Sequence, residues 1–307
     1  MRTVAFTTDA KTSTVCHQMN AFIRRWEPYA RYVIFAVRIA AALLFFQHGA
    51  EKLFGFTGAR QVPSLFIQRG VAGLLETIGP TLFAVGLFPR FTAFILCGEM
   101  AVAYFQSWAP RGFWPITNGG EEAVLFCYFY LWIVTAGPGA WSLDGWFQAQ
   151  RFPHPFRTLK QWLIRFEPYT RSIMRAIVGF LVMQHGARKV FDVLPIVGGR
   201  RNVPPLAIDG LPAITGYIDL IAGALLIIGL FARPAALVVA AEMLAAYFLV
   251  AAPRGPWPIR NGGGEALMHV LIDIAIVVLG AGILSIDGFL MKGRRARKQV
   301  PHLQTAR

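Results

Sequence analysis

PRGFWPITNGGEE, at residues 110–122, returns at 253–265 as PRGPWPIRNGGGE. Both copies lie between long apolar runs, so the reading of this stretch decides how the chain is organised. Its prolines fix the backbone and hold each preceding residue extended. Its paired glycines allow a sharp turn before the next helix starts. The stretch therefore reads as a stiff external loop between two helices, a rigid lid over the mouth of its own helix bundle, written twice because the bundle is written twice.

Moving outward, the duplication continues on both sides. GLLETIGPTLFAVGLFPR from Gly73 aligns with GYIDLIAGALLIIGLFAR from Gly216, and GEMAVAYF from Gly98 with AEMLAAYF from Ala241. WSLDGW from Trp141 matches LSIDGF from Leu284, QHGAEKLFG from Gln47 matches QHGARKVFD from Gln184, and RWEPYAR from Arg25 matches RFEPYTR from Arg165. Loops between the first and second helices of each half absorb a small change in offset. RFPHP, at Arg151–Pro155, marks the linker.

The 307 residues are 55% hydrophobic and only 15% charged, too little charge to cover a soluble protein of this size. Apolar runs long enough to cross a bilayer as helices are expected at Val33–Ala50, Val71–Phe88, Phe91–Trp108 and Glu121–Gly137, then at Ile173–Gly186, Gly216–Phe231, Ala235–Ala252 and Ala266–Ile283. The fifth is short and broken by Gly179. The fold class is thus an all-α integral membrane protein whose eight transmembrane helices form two parallel-repeat four-helix bundles, side by side about an axis along the membrane normal. The units are 33–150 and 173–291. An amino-terminal tail with an interfacial segment (1–32), a linker with a second interfacial segment (151–172) and a basic carboxyl tail (292–307) flank them. Most of the 30 Lys and Arg fall on the tails, the linker and the turns at Arg90 and Arg233, which places both termini in the cytoplasm and both lids outside. The localisation expected is the bacterial inner membrane. The formal charge of +14 suits anionic lipid on the cytoplasmic side and not nucleic acid, because no separate basic domain exists.

RIAAALLFFQHGAEKLFG, a GLLE helix ending in GLFPR, then EMAVAYF, FWPITNGGEE and GPGAWSLD together resemble the DoxX family of membrane proteins, twice over. The resemblance implies a tandem DoxX-like protein, similar to a subunit of thiosulfate:quinone oxidoreductase. It implies work beside membrane redox systems, and it fixes a fold more firmly than a reaction.

Ionisable groups inside a bilayer need partners or a purpose. The first half carries His48 and Lys52 on one helical face, Glu76, the mid-membrane Glu99, and Glu121 and Glu122 at a helix start; the second carries His185, Lys189, Asp219, Glu242 and Glu265. A His and a Lys facing carboxylates form a polar cluster in each bundle, which also serves to pin helices in register. The candidate catalytic set is His48, His185, Glu76, Asp219, Glu99 and Glu242: histidines for quinone oxygens and carboxyls for protons. Lys52, Trp114, Lys189 and Trp257 join the histidines as cofactor-binding candidates. Arg111 and Arg254 are substrate-binding candidates, set to pair with the carboxylates below or with an anionic ligand. Glu265, His269 and Asp273, four apart down the last helix, draw a proton path where the first half has Phe126 and Tyr130. The same stripe would serve as a contact between bundles. No residue is assigned to a metal, since Glu-x-x-His pairs are absent.

Cys16, Cys97 and Cys127 form no C-x-x-C and read as small buried residues. No haem, flavin or iron–sulfur motif is present. The cofactor expected is a quinone, with electrons coming from a redox partner protein or a larger membrane complex, so an enzyme role is that of a subunit. A non-catalytic anchor or accessory subunit and a proton-coupled transporter are the alternatives.

Overall fold

The structure, a computed structural model, describes residues 27–58, 61–148, 154–191, 193–194 and 211–290. The linker residues 149–153, the carboxyl tail and most of the amino tail, including Cys16, lie outside the described residues. Among the described residues, eight long helices follow one another: α1 Ala30–Phe54, α2 Gln68–Val85, α3 Pro89–Ala103, α4 Glu121–Ala136, α5 His154–Phe191, α6 Leu211–Ile228, α7 Ala232–Ala246 and α8 Gly264–Leu279. Helices α3 and α7 each run on through one π-helical turn, Tyr104–Trp108 and Tyr247–Ala251. No strand occurs among the described residues.

Side chains turned outward are large and apolar: Leu43, Phe91, Phe94, Phe105, Ile221, Leu237, Phe248 and Leu249 are all well exposed. The buried set includes Arg38, Glu76, Arg175, Asp219, His269 and Asp273. An apolar exterior around a partly polar interior suits lipid as the surrounding solvent. Helices Ala30–Phe54 and Ala232–Arg254 are long and apolar enough by themselves to cross a membrane.

The ends of the helices explain the repeated motifs. Phe88 and Phe231 sit in the left-handed region, with φ of 48° and 49°. Asp144 and Asp287, from the WSLDGW and LSIDGF stretches, accept the backbone N–H of Phe88 at 3.1 Å and of Phe231 at 3.0 Å, capping α3 and α7. Arg90 donates to the last-turn carbonyls of α4, Val134 and Thr135, and Arg233 to those of α8, Val277 and Val278. Arg38 reaches the Trp141 carbonyl at 2.7 Å, while Arg175 reaches Leu226 and, at 2.6 Å, Leu284. At the end of the bundle opposite the lids, Arg90, Arg175 and Arg233 thus complete helix carboxyl termini, while Arg38 holds the turn that follows α4.

The packing differs from two bundles laid side by side. Each helix packs on its neighbour in the chain, α4 packs on α5, and α8 returns to α1, so the eight close a ring, with α4 and α8 also meeting across its centre. Within the first unit, α1 meets α4 through long aromatic side chains: Phe45 lies 4.7 Å from Phe126 and 5.5 Å from Tyr130, between ring centroids. The fourth helix of each unit thus packs on the first helix of the other.

Gly179 does not break the fifth helix, which is continuous from His154 and includes the segment expected to lie along the interface. It marks a crossing instead. A β-carbon at Gly179 would stand 2.7 Å from the Gly223 carbonyl oxygen, and one at Gly223 would stand 2.7 Å from that of Gly179. Gly49 and Gly186 do the same work one level up, each against the backbone of the following helix. Gly179→Ala should therefore lower the thermal unfolding midpoint of the detergent-purified protein, at a cost of about 1–3 kcal/mol from overpacking. Gly98→Ala, at a position with nothing within 4 Å, should leave the midpoint unchanged or raise it.

Candidate functional site

At the lid end, the carboxyl-terminal turns of α1 and α5 meet the amino-terminal turns of α4 and α8. Gly49 lets α2 approach so closely that Lys52, three residues on, bonds Glu76. Gly186 does so for α6, and Lys189 bonds Asp219 at 2.6 Å and Glu242 at 3.0 Å. Glu99 differs from its counterpart Glu242. Neither of its carboxyl oxygens has a hydrogen-bond partner, and both are buried. The Lys and acid residues expected to face one another are brought together in both repeats, with Glu99 left out.

The histidines also find carboxylates. His48 Nε2 lies 3.3 Å from Glu122 Oε1, and His185 Nε2 lies 3.0 Å from Glu265 Oε1. His185 meets a second acid: Glu121 Oε1, from the first repeat, is 3.1 Å from the same nitrogen. The position matching Glu121 in the second repeat is Gly264, whose bare Cα lies against the Glu122 carboxylate. One cluster therefore has a histidine and two carboxylates from both repeats; the other has one carboxylate and a glycine.

His269 and Asp273 follow Glu265 down one face of α8. Both are fully buried, and neither ring nitrogen and neither carboxyl oxygen has a hydrogen-bond partner. In the first repeat the same places hold Phe126 and Tyr130, packed by Phe45 and Phe83. In the second, the aromatic neighbours are replaced by the smaller Val182 and Leu226. The polar stripe thus lies in an interior without the aromatic filling of its counterpart.

The lids overturn one expectation. Each reaches beyond its own bundle and clasps the other repeat. Gln184 Oε1 accepts from the Ile116 N–H, and Gln47 Oε1 from the Ile259 N–H, both at 3.4 Å. Trp114 stacks near Phe180, with centroids 5.9 Å apart, and Trp257 meets Phe56 edge-on at 4.5 Å. The cause is the swapped packing of the fourth helices, which carries each preceding loop across the boundary. Trp114 and Trp257 accordingly serve as clamps between repeats. Asn118 bonds the Gly112 carbonyl at 2.9 Å and takes the Gly120 N–H at 2.8 Å, and Asn261 repeats both contacts with Gly255 and Gly263.

Arg111 and Arg254 are exposed, and neither forms an ion pair with a carboxylate among the described residues. The three-residue helical turn before each lid points its arginine to the surface. A lid arginine that does pair is one that sequence reading passed over: Arg260 contacts Glu51 at 3.3 Å and the Thr57 carbonyl at 2.7 Å, again across the repeats. Its signal was the departure from the repeat, since Thr117 stands at the matching position. Sequence reading also missed a second proximity. Cys97 and Cys127, on α3 and α4, bring their sulfurs to 3.7 Å as free thiols. No local spacing signals a pair that only helix packing creates.

The DoxX family model matches residues 33–107 and again 171–252. An uncharacterised protein of Haemophilus influenzae is 41% identical over 131 residues, which are 39% of this chain and 95% of that protein, so the relative has the length of one repeat. No solved structure matches the chain.

The ion pairs at the lid end make a stability prediction. Lys52→Met leaves Glu76 buried and uncompensated, which should cost about 3–5 kcal/mol. Adding Glu76→Gln should recover much of that loss, so the two effects should be strongly non-additive in a double-mutant cycle on the thermal midpoint.

Proposed function

Because the chain belongs to the DoxX family of membrane proteins, as a tandem-repeat member, we propose that it is the membrane subunit of a redox system and binds a quinone or similar hydrophobic redox molecule near the outer leaflet. In this reading all eight long helices span the bacterial inner membrane. Residues 33–150 and 173–291 are the two parallel units, flanked by 1–32, 151–172 and 292–307, and both termini are cytoplasmic. The arginines that complete helix ends at one face and the acidic and histidine residues at the other support that orientation.

The observation that carries the proposal is the recurrence, at one end of both repeats, of a half-buried histidine held by a carboxylate beside a lysine held by another. A quinone oxygen would accept a hydrogen bond from the ring of His48 or His185. Reduction takes two electrons and two protons. The electrons come from a partner protein, and Glu76, Asp219, Glu99 and Glu242, on the second and third helices of each repeat, would pass the protons. Glu99, with no partner of its own, is the group freest to do so.

A second reading, a proton-coupled transporter, is favoured by the unpartnered His269 and Asp273 beneath Glu265. Under it, Asp273→Asn would abolish proton uptake by vesicles holding the purified protein, whereas the redox reading leaves that uptake without a role.

Mass spectrometry of the organic extract of gently purified protein tests the main proposal. Wild type should carry a near-stoichiometric quinone, and a folded His48→Ala/His185→Ala variant should lose it. A wild-type extract holding only membrane lipid overturns the quinone reading and leaves the accessory-subunit role in its place.

A further inference from the structure

We propose that Glu121, His185 and Glu265 form a binding site for one divalent first-row transition metal ion, present once in the chain although the fold is written twice. The proposal goes beyond the quinone reading and does not depend on it.

The geometry is that of converging donors. One ring nitrogen and two carboxylate oxygens, from α4, α5 and α8, all lie within 4.8 Å of one another. The His185 nitrogen stands 3.0 Å from one oxygen and 3.1 Å from the other. Donors bound to a tetrahedral ion at about 2.1 Å stand roughly 3.4 Å apart, so the two nitrogen–oxygen distances need to open by only a few tenths of an ångström to admit an ion. One imidazole with two carboxylates suits ions such as Zn²⁺, Fe²⁺ and Mn²⁺. Three protein ligands leave a position for water or substrate.

Charge and burial point the same way. Glu121 is almost wholly buried, and its Oε1, though beside His185, has no hydrogen-bond partner. A single imidazole cannot neutralise two carboxylates at that depth, and a dication can. One turn below Glu265 on the same face, fully buried His269 has two unpartnered ring nitrogens and lies close enough to feel the charges of Glu265 and His185. Glu265, the most exposed of the three at 29%, leaves the site open to the lid side.

The first repeat provides the internal control. Its matching cluster has His48 and Glu122 but Gly264 where the third donor would stand. Two donors from one histidine and one carboxylate make a poor site, so the chain should take up one ion and not two. With Nε2 of His185 committed to the metal, the His48 cluster is the one left for a hydrophobic ligand.

The test uses the full-length chain in detergent, stripped with a chelator and then dialysed against Co²⁺. Elemental analysis should give one Co²⁺ per chain, with visible ligand-field bands reporting nitrogen and oxygen donors. Glu121→Gln and His185→Asn should weaken uptake at least ~10-fold, while His48→Asn should retain one ion and its spectrum. Gel filtration of each variant checks that it is folded. Because the His48 cluster does not include Glu121, Glu121→Gln should lose the metal and keep any quinone held at His48. Wild-type protein that takes up no stoichiometric Co²⁺ overturns the proposal, and the two carboxylates then share a proton instead. Uptake unchanged in Glu121→Gln, or one ion lost in His48→Asn, also overturns it.

Discussion

A helix that ends inside or at the edge of a bilayer leaves four N–H and four C=O groups with no water to satisfy them. Most of what is written twice in this sequence answers that constraint. The arginines of GLFPR and GLFAR fill the last-turn carbonyls of α4 and α8. Arg38 and Arg175, each buried within the first helix of a repeat, bond carbonyls of the closing WSL and LSI turns. The aspartates of WSLDGW and LSIDGF cap α3 and α7. The asparagines of the two lids tie each loop to the start of the helix that follows. Motifs that look like signatures of chemistry are, for the most part, helix ends being completed.

Seen this way, the parts of the fold that were legible in the sequence are those that obey local rules. Apolar runs gave seven of the eight long helices to within about five residues, the fifth starting far earlier, at His154, than the expected Ile173, and the duplicated motifs gave the two repeats. The structure placed Lys52 beside Glu76 and Lys189 beside Asp219 because a four-residue helical spacing and a following acidic helix leave few other arrangements. Gly179 was misread because a glycine in an apolar run looks like a break. Its role became visible only with Gly223 on the facing helix, where the two backbones touch.

What the sequence could not show were relations across the repeat boundary. Nothing in PRGFWPITNGGEE says that its tryptophan will rest near Phe180, or that Gln184 will hold its backbone. Internal similarity invites each motif to be assigned to its own half, and the swapped packing of α4 and α8 defeats that assignment. The same blindness hid Arg260 with Glu51 and Glu121 with His185.

Fusion of the two repeats has a chemical consequence. A protein of one repeat assembling as a two-fold pair must build identical clusters, because each residue appears in both. In a single chain the two positions vary independently. Here Glu121 faces His185 while Gly264 lies by Glu122, and Phe126 and Tyr130 fill one interior while His269 and Asp273 stand unpartnered in the other. Each change removes polar groups from one cluster and leaves them in its twin, and both act in the same direction. The first repeat keeps a histidine and a lysine over an aromatic core, and the second carries a column of acid and imidazole side chains, its lower members unpartnered, from the lid end to the bundle interior. Buried polar groups without partners are costly, so a column that persists in one repeat and is replaced by packed rings in the other marks the second repeat as the half whose interior has a use for them.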